Sequence, residues 1–301
     1  MTTTTASPLT SGDLDASGAL VRPVGPFSLD TARRSVTRWG PLSRHGATDG
    51  PVRIAAIADT DHTPFAATLT EVGDGAGIAV EITVEGVAAA RHDAAVRQVA
   101  RMFSLDHDAR GLADVLRSDP AVTDALRDLP GVRPVLFPSP YEAAAWAVIS
   151  PRIGKAGAAA LQRRLAAAHG LEIGGVAAFP TPEALRRVED FPGLPEEKLR
   201  RLHGVADAAL AGDLDVHRLR ALGPDEARVA LRGIRGIGPF WASGIWLRAC
   251  GVVDEWPDEP HSTAILARLH GRDADAEHLT DLVEPLAPFR TWVAFALRMS
   301  A

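Results

Sequence analysis

Two neighbouring carboxylates, Asp258 and Glu259, lie in the stretch "WPDEPH", a loop with a proline on each side of the acidic pair. A helical pattern of apolar residues begins directly after this loop. A carboxylate held at the start of a helix can orient or deprotonate a water molecule and can stabilise positive charge on a reacting carbon. The pair is therefore our first candidate for chemistry, although the same residues also suit an ordinary solvated loop.

A second candidate lies upstream, where "RGIGPF" contains Gly236, Ile237 and Gly238 before a proline that suits the first helical position. Glycines leave room for close approach to the backbone, and the unpaired N–H groups of the following helix form a natural anion site. The same pattern also suits a plain corner between two packed helices. Because the carboxylates follow one helix later, the combination predicts chemistry beside a nucleic-acid backbone.

The elements that must position these residues are mostly helical. From about residue 109 onward, the apolar spacing predicts short helices separated by Pro and Gly and no convincing strand. We expect helices at 109–129, 139–149, 155–169, 181–189, 195–211, 224–233, 239–250, 261–270, 276–285 and 288–299. Short helices with short connections predict a compact all-α domain over residues 109–301.

The chain before this domain has a different pattern, because several segments alternate apolar and polar side chains as half-buried strands do. We expect strands at 52–59, 64–73 and 77–86 between helices at 26–40 and 91–105. The short connections favour an antiparallel sheet, and hence a small α+β domain over residues 25–108. The sequence of residues 1–24 predicts a disordered tail. The expected fold class is therefore mainly α with a small α+β N-terminal domain.

Composition limits the partners and the compartment. The 301 residues contain one cysteine, Cys250, which excludes an internal disulfide and a multi-cysteine zinc or iron–sulfur centre. The N-terminus has no signal-peptide pattern and no apolar run approaches the roughly 18 residues of a membrane helix, so we expect a cytoplasmic protein without membrane contact. The net charge of −6 argues against nucleic-acid binding, but residues 141–251 hold 15 Lys and Arg against 12 Asp and Glu. This local excess permits a nucleic-acid face.

Several ordered segments carry a resemblance to a known family. The run "IRGIGPFWASGIWLRACGVVDEWPDEPHSTAILARL" resembles the signature of the helix–hairpin–helix base-excision DNA glycosylases, in which His261 and Arg268 keep the spacing of the family's His and Arg. Residues 141–170, 179–185, 191–216 and 286–298 resemble segments of its alkyl-base branch, 3-methyladenine DNA glycosylase II. The resemblance implies an all-α helix–hairpin–helix glycosylase domain preceded by a TATA-binding-protein-like domain.

The resemblance also implies roles for the two candidate stretches. The catalytic Asp of the family aligns with Glu259, and Asp258 is the alternative because the alignment of this loop can slip by one residue. Gly236, Ile237 and Gly238 correspond to the hairpin that binds the DNA backbone in the family.

A flipped alkylated base carries positive charge and needs an aromatic wall, and the duplex needs a wedge to fill the gap that the base leaves. The candidates for the base pocket are Phe240, Trp241, Trp256 and Trp146, with Phe289 and Trp292 as further aromatic residues. Arg152 occupies the wedge position, although "ISPRIG" lacks the Gln that the family has there.

In strand-cleaving members of the family a Lys stands at the position of Phe240. The resemblance therefore implies a monofunctional glycosylase, working as a nucleoid-associated monomer without metal or cofactor. It would hydrolyse the N-glycosidic bond of an alkylated purine, of the 3-methyladenine or 7-methylguanine type, in double-stranded DNA. A DNA-binding relative that has lost catalysis stays open as the alternative, because Glu replaces Asp and the Gln is missing.

Overall fold

The computed structural model describes residues 18–42, 49–73, 77–272 and 276–300. Its N-terminal part contains an antiparallel sheet in the order β1-β4-β3-β2. The strands are β1 (Gly18–Val21), β2 (Val52–Ile57), β3 (Pro64–Val72) and β4 (Ala79–Glu85). Ile82 lies opposite both Leu69 and Ala19, and all three side chains are buried on one face. This alternation is what the half-buried pattern of the sequence predicts.

Two helices cover the buried face of the sheet, namely α1 (Leu29–Arg38) and α2 (His92–Met102), and a 3₁₀ turn (Ala89–Arg91) precedes α2. Ser28 caps α1 by accepting a 3.2 Å hydrogen bond from the backbone N–H of Thr31. The predicted disordered tail is wrong at its end, because residues 18–21 form β1 at the sheet edge. Residues 1–17 of that predicted tail lie outside the described residues.

The remainder is helical. Its helices are α3 (Leu112–Ser118), α4 (Pro120–Ala125), α5 (Pro140–Ile149), α6 (Lys155–His169), α7 (Pro182–Arg186), α8 (Glu196–Leu210), α9 (Val216–Arg232), α10 (Pro239–Ala249), α11 (Pro260–Leu269), α12 (Ala276–Val283) and α13 (Arg290–Ser300). A 3₁₀ turn (Glu284–Leu286) separates the last two. Five of these helices begin with a proline, whose missing N–H costs nothing at that position.

Three predictions for this region need correction. A two-stranded ribbon of β5 (Glu172–Ile173) and β6 (Val176–Ala177) lies where we expected no strand. The predicted helix 109–129 is broken before α4, because Asp119 caps α4 and leaves the helical conformation. Helix α9 begins earlier than predicted and kinks at Gly223, whose φ of +78° favours glycine.

Helix α5 lies at the centre of the helical region, and every one of its residues is buried. It packs against α8 and α10, so it supports the turn that precedes α10. The buried Glu142 accepts a 3.1 Å hydrogen bond from the backbone N–H of Ile57 and thereby joins this helix to the sheet. None of the helices in the described part of the chain is long and apolar enough to cross a membrane. The described residues also contain no cluster of three metal-ligating side chains.

Candidate active site

The hairpin between α9 and α10 is fixed by its two isoleucines. Ile234 and Ile237 are buried in the main helical core, and the N–H of Ile237 donates to the carbonyl of Ile234 at 3.0 Å. Gly236 between them has a φ of +100°, a conformation that L side chains rarely adopt. A Cβ atom at Gly236 would lie 3.0 Å from Cδ of Arg201. The first predicted glycine is therefore required by the turn itself.

The second glycine of the hairpin faces open space. Gly238 is the N-cap of α10 in an extended conformation, and no side chain of the described residues caps this helix. A Cβ atom at Gly238 would meet nothing within 4 Å. Because the side chain of Ile237 is buried and its two neighbours are glycines, residues 236–238 present only backbone on the outer surface of the turn. Free N–H groups and the positive end of the helix dipole make this surface suited to a phosphate.

The loop that carries the carboxylates is anchored at its start. Asp254 forms an ion pair with Arg290 at 2.7 Å, and Glu255 accepts a 3.1 Å hydrogen bond from Nε1 of Trp246. The hydroxyl of Thr291 donates to the carbonyl of Glu255 at 2.6 Å. These bonds hold residues 254–255 against both α10 and α13, so the following acidic pair is positioned rather than free.

Glu259 is the N-cap of α11. Its carboxylate accepts hydrogen bonds from the backbone N–H groups of Ser262 at 2.9 Å and His261 at 3.0 Å. It also accepts a hydrogen bond from the hydroxyl of Ser262 and lies 3.2 Å from Nη1 of Arg298. With 9% of its side chain exposed, Glu259 is held in one orientation. Asp258, in contrast, is exposed.

The surroundings of Glu259 favour its ionised form. Burial alone would raise the pKa of this carboxyl, but the hydroxyl of Ser262, the charge of Arg298 and the two backbone N–H groups outweigh it, so the pKa lies below its usual range. Glu259 is therefore a carboxylate at neutral pH. It is suited to stabilise positive charge and to orient water, and not to donate a proton.

Glu259 and Asp258 open onto a cavity of about 750 Å³, including the space at its mouth. Aromatic residues form much of its wall: Trp39, Phe137, Trp146, Phe240, Trp241 and Phe295. Three of the predicted pocket residues, Phe240, Trp241 and Trp146, thus line one cavity with the acidic pair. Phe240 stands at the mouth with 54% of its surface exposed, while Trp146 is buried. The size and the aromatic wall suit a flat, base-sized ligand.

The other predicted aromatic residues lie elsewhere, which corrects the prediction for Trp256. Trp256 packs against the C-terminal core, and its Nε1 donates to the hydroxyl of Thr263 at 3.1 Å. Phe289 and Trp292 are buried in the same core with their ring centroids 5.5 Å apart. Apolar packing, which sequence cannot distinguish from pocket lining, explains all three.

Arg152, the predicted wedge, lies at the exposed tip of the loop after α5. Its φ of +63° is unusual for a residue with a side chain. Lys198 supports the loop from beneath, because its Nζ donates to the carbonyls of Ile149 at 2.6 Å and Pro151 at 2.8 Å. A strained and supported tip of this kind is typical of functional loops.

Sequence reasoning missed several residues of the cavity. Ser262 and Arg298 bind Glu259, and Arg248 from α10 also lines the wall, as do Trp39 and Phe295. A serine three residues after a capping carboxylate was the one local signal available. The other residues come from α1, α10 and α13, and only the packed fold brings them together.

His261 and Arg268, which keep the family spacing, are exposed on α11. His261 contributes its backbone N–H to Glu259, so its backbone position serves the site even though its side chain faces solvent.

The hairpin with its bare N–H groups, the anchored carboxylate and the aromatic cavity between them form the arrangement that the resemblance to the helix–hairpin–helix DNA glycosylases implies. The chain is similar in sequence to a DNA glycosylase and shares the fold of solved members of that superfamily. It is 25% identical over 213 residues to the DNA-3-methyladenine glycosylase of Bacillus subtilis (strain 168), a match that covers 67% of this chain and 69% of that protein.

Solved structures agree with this fold. The chain superposes on the 3-methyladenine DNA-glycosylase from Archaeoglobus fulgidus with a TM-score of 0.74 at 19% identity, covering 92% of this chain and 96% of the other. It superposes on the Clostridium acetobutylicum 8-oxoguanine glycosylase/lyase in complex with double-stranded DNA with a TM-score of 0.67 at 18% identity, covering 97% and 98%. No protein-family model matches the chain.

Proposed function

We propose that this chain is a monofunctional DNA glycosylase that removes alkylated purines from double-stranded DNA by hydrolysing the N-glycosidic bond. The observation that carries the proposal is the ionised Glu259 carboxylate fixed at the edge of an aromatic, base-sized cavity. The substrate class is supported by the relative from Bacillus subtilis, which is named a DNA-3-methyladenine glycosylase. The 3-methyladenine and 7-methylguanine types are the expected bases.

Breaking an N-glycosidic bond leaves positive charge on the sugar, as in glycoside hydrolysis. A fixed carboxylate beside the anomeric carbon stabilises that charge and orients the attacking water. Glu259 has the required charge, and its hydrogen bonds to Ser262 and to the start of α11 prevent it from turning away. Asp258 lines the same cavity and is the second candidate for this role.

The lysines of the chain support a hydrolytic, monofunctional reaction. Strand scission through an imine needs an amine next to the sugar. The sequence holds two lysines, Lys155 and Lys198, and neither lines the cavity. Lys198 donates to two carbonyls beneath the Arg152 loop. The resemblance implies that Phe240 occupies the position of the lysine in strand-cleaving members of the family.

DNA binding in this proposal uses the surface beside the cavity mouth. The backbone at Gly236, Ile237 and Gly238 binds a phosphate, and Arg152 enters the gap in the base stack or neutralises a phosphate. Every part of the proposed site comes from one chain, so the proposal takes the enzyme as a monomer. Because its proposed substrate is DNA, the proposal places the enzyme at the nucleoid in the cytoplasm.

Methylated duplex DNA tests the proposal directly. Wild-type protein is incubated with the DNA, and released 3-methyladenine and 7-methylguanine are measured by chromatography. We expect release by the wild type, at least a 100-fold slower rate for Glu259→Gln, and a smaller loss for Glu259→Asp, which keeps the charge. Release no faster than that of a Glu259→Gln/Asp258→Asn double variant would overturn the proposal.

A second candidate function is that of a DNA-binding relative without catalysis. One observation favours it, since four donors already bind the Glu259 carboxylate. This candidate predicts salt-dependent binding of duplex DNA with no base released. Its binding would depend on the hairpin and not on Glu259. Measuring duplex affinity and base release on the same variants therefore distinguishes the two functions.

A further inference from the structure

The cavity wall contains a cation that the proposed reaction does not use. Arg248 projects from α10, and its guanidinium carbon lies 4.2 Å from the ring centroid of Trp39 and 4.6 Å from that of Phe295. All three residues line the cavity. The guanidinium therefore lies between two aromatic side chains of the wall that would otherwise be available to a bound base.

Arg248 has fewer hydrogen-bond partners than comparable arginines of this protein. The buried Arg133 also lies between two aromatic rings, those of Phe27 and Trp292, and it donates to four backbone carbonyls at 2.7 to 3.0 Å. The buried Arg101 forms an ion pair with Asp59 at 2.7 Å. Arg248 donates to a single carbonyl, that of Val135, at 3.2 Å.

The Arg248 guanidinium also keeps unused donor capacity. Its Nε is shielded from solvent and has no hydrogen-bond partner among the described residues. The side chain forms no ion pair within the described part of the chain, and its partly exposed surface belongs to the cavity wall. A guanidinium carries five N–H donors and that of Arg248 makes one hydrogen bond within the described residues, so its Nη groups, rather than the shielded Nε, offer donors to a ligand in the cavity.

The charge of Arg248 persists at neutral pH. Burial and the nearby charge of Arg298, opposed by the charge of Glu259, lower its pKa to about 9, which still leaves the guanidinium protonated at pH 7. A cationic base, such as one methylated at N7, meets the charge of Arg248 next to the opposite charge of Glu259 and finds the faces of Trp39 and Phe295 already engaged by a cation. An uncharged purine meets no such repulsion, and its ring nitrogens accept hydrogen bonds.

We propose that Arg248 is a specificity-determining residue that raises the rate for uncharged alkylated purines, such as ring-closed adducts that keep acceptor nitrogens, relative to the rate for cationic ones. The inference rests on the proposed function and adds uncharged bases to the 3-methyladenine and 7-methylguanine types expected there. When the C1′–N9 bond of such a base breaks, the electron pair stays on the purine, and Arg248 stabilises the resulting negative charge. Water adds its oxygen to C1′ and gives up a proton, which Glu259 accepts and passes to solvent, and the purine anion takes up a proton from solvent at a ring nitrogen.

The experiment compares two duplexes of one sequence, one with 1,N6-ethenoadenine as the uncharged adduct and one with 7-methylguanine as the cationic one. Single-turnover rates are measured for wild type, Arg248→Met, Arg248→Lys and Arg133→Met. We expect Arg248→Met to lower the rate ratio of uncharged to cationic base at least tenfold and Arg248→Lys to keep it within about threefold. The ratio is independent of how much of a variant is folded, and Arg248→Lys tests the charge if Arg248→Met does not fold.

The matched control is Arg133→Met, which also removes an arginine held between two aromatic rings, but outside the cavity. It should leave the ratio unchanged whatever it does to stability. An equal loss on both duplexes for Arg248→Met would show a structural role and overturn this assignment alone. If wild type releases neither base, the proposed function and this inference both fail.

Discussion

Nη1 of Arg298 lies 3.2 Å from Oε1 of Glu259, so α13 carries the counter-charge of the carboxylate that begins α11. Replacing Arg298 by Met removes this charge, and the pKa of Glu259 then rises because the burial that opposes ionisation remains. Glu259 acts as the ionised base, so we expect the acidic limb of the pH–rate profile to move to higher pH. Single-turnover base release between pH 4 and 8 measures the change.

The control for this prediction is Arg268→Met, which removes an exposed arginine from α11. Its pH profile should match that of the wild type. If the acidic limb of Arg298→Met stays at the pH of the wild type and only the maximal rate falls, Arg298 positions α13 without changing the pKa of Glu259.

The same substitution at the two hairpin glycines should affect different properties: protein stability at Gly236 and DNA affinity at Gly238. Gly236→Ala places a side chain at a φ of +100° and 3.0 Å from Cδ of Arg201, so it should cost about 1–2 kcal/mol of unfolding free energy. Gly238→Ala adds a Cβ in open space and should change stability by less than about 0.5 kcal/mol. That Cβ stands where the phosphate is proposed to bind, so duplex affinity should fall about tenfold or more.

Urea unfolding and fluorescence anisotropy with a labelled duplex measure the two quantities on the same samples. Unchanged duplex affinity in Gly238→Ala would contradict the assignment of the hairpin as the phosphate site. A stable, normally folded Gly236→Ala would contradict the close packing of the turn against α8.

The fold was predictable from sequence wherever one periodicity continues for seven or more residues. The strand containing Ile82 and the proline-opened helix α10 are examples, since each follows from a local pattern. The short β1 and the ribbon of β5 and β6 were missed, because two to four residues are too few to show a period. They exist because a neighbouring strand pairs with them.

The candidate site was predictable in part for the same physical reason. Glu259, Phe240 and the hairpin lie in one stretch of sequence with a recognisable order, so they were found together. Trp256 was misplaced and Trp39 was missed, because lining a cavity depends on contacts between distant elements. Trp39 reaches the cavity from the end of α1, about 200 positions before the hairpin along the printed sequence.

The conformation of Arg152 predicts a trade between stability and function. Glycine adopts a φ of +63° without strain, so Arg152→Gly should leave stability unchanged or raise it by up to about 1 kcal/mol. It should also slow release of a damaged base from duplex DNA, because the proposed wedge is gone. Asn tolerates this conformation, and Arg152→Asn therefore separates loss of the side chain's length and charge from loss of the loop's shape.

Rates on duplex and on single-stranded DNA measure this effect, since a single strand leaves no stack to fill. We expect a larger loss on the duplex for both variants. Equal losses on the two substrates would assign Arg152 to phosphate binding, and no loss on either would remove it from the site.

His107 makes the stability of the protein depend on pH in the neutral to mildly acidic range, above the pH at which carboxylates become protonated. Burial lowers the pKa of His107, and the charges of Arg220 and Arg133 act in the same direction against the opposing charge of Asp106. Because the folded protein binds this proton less readily than the unfolded chain, stability is complete above the unfolded pKa of about 6.5 and falls as the pH drops below it.

Urea unfolding at pH 7.5, 6.5 and 5.5 measures this dependence. One proton gives a slope of at most about 1.4 kcal/mol per pH unit. His107→Gln removes the titrating group, so its stability should vary less between pH 7.5 and 5.5 than that of the wild type, although its stability at pH 7.5 should be lower because a buried ring beside Trp292 is lost. Parallel pH dependences for the two proteins would mean that His107 is protonated equally in the folded and unfolded states.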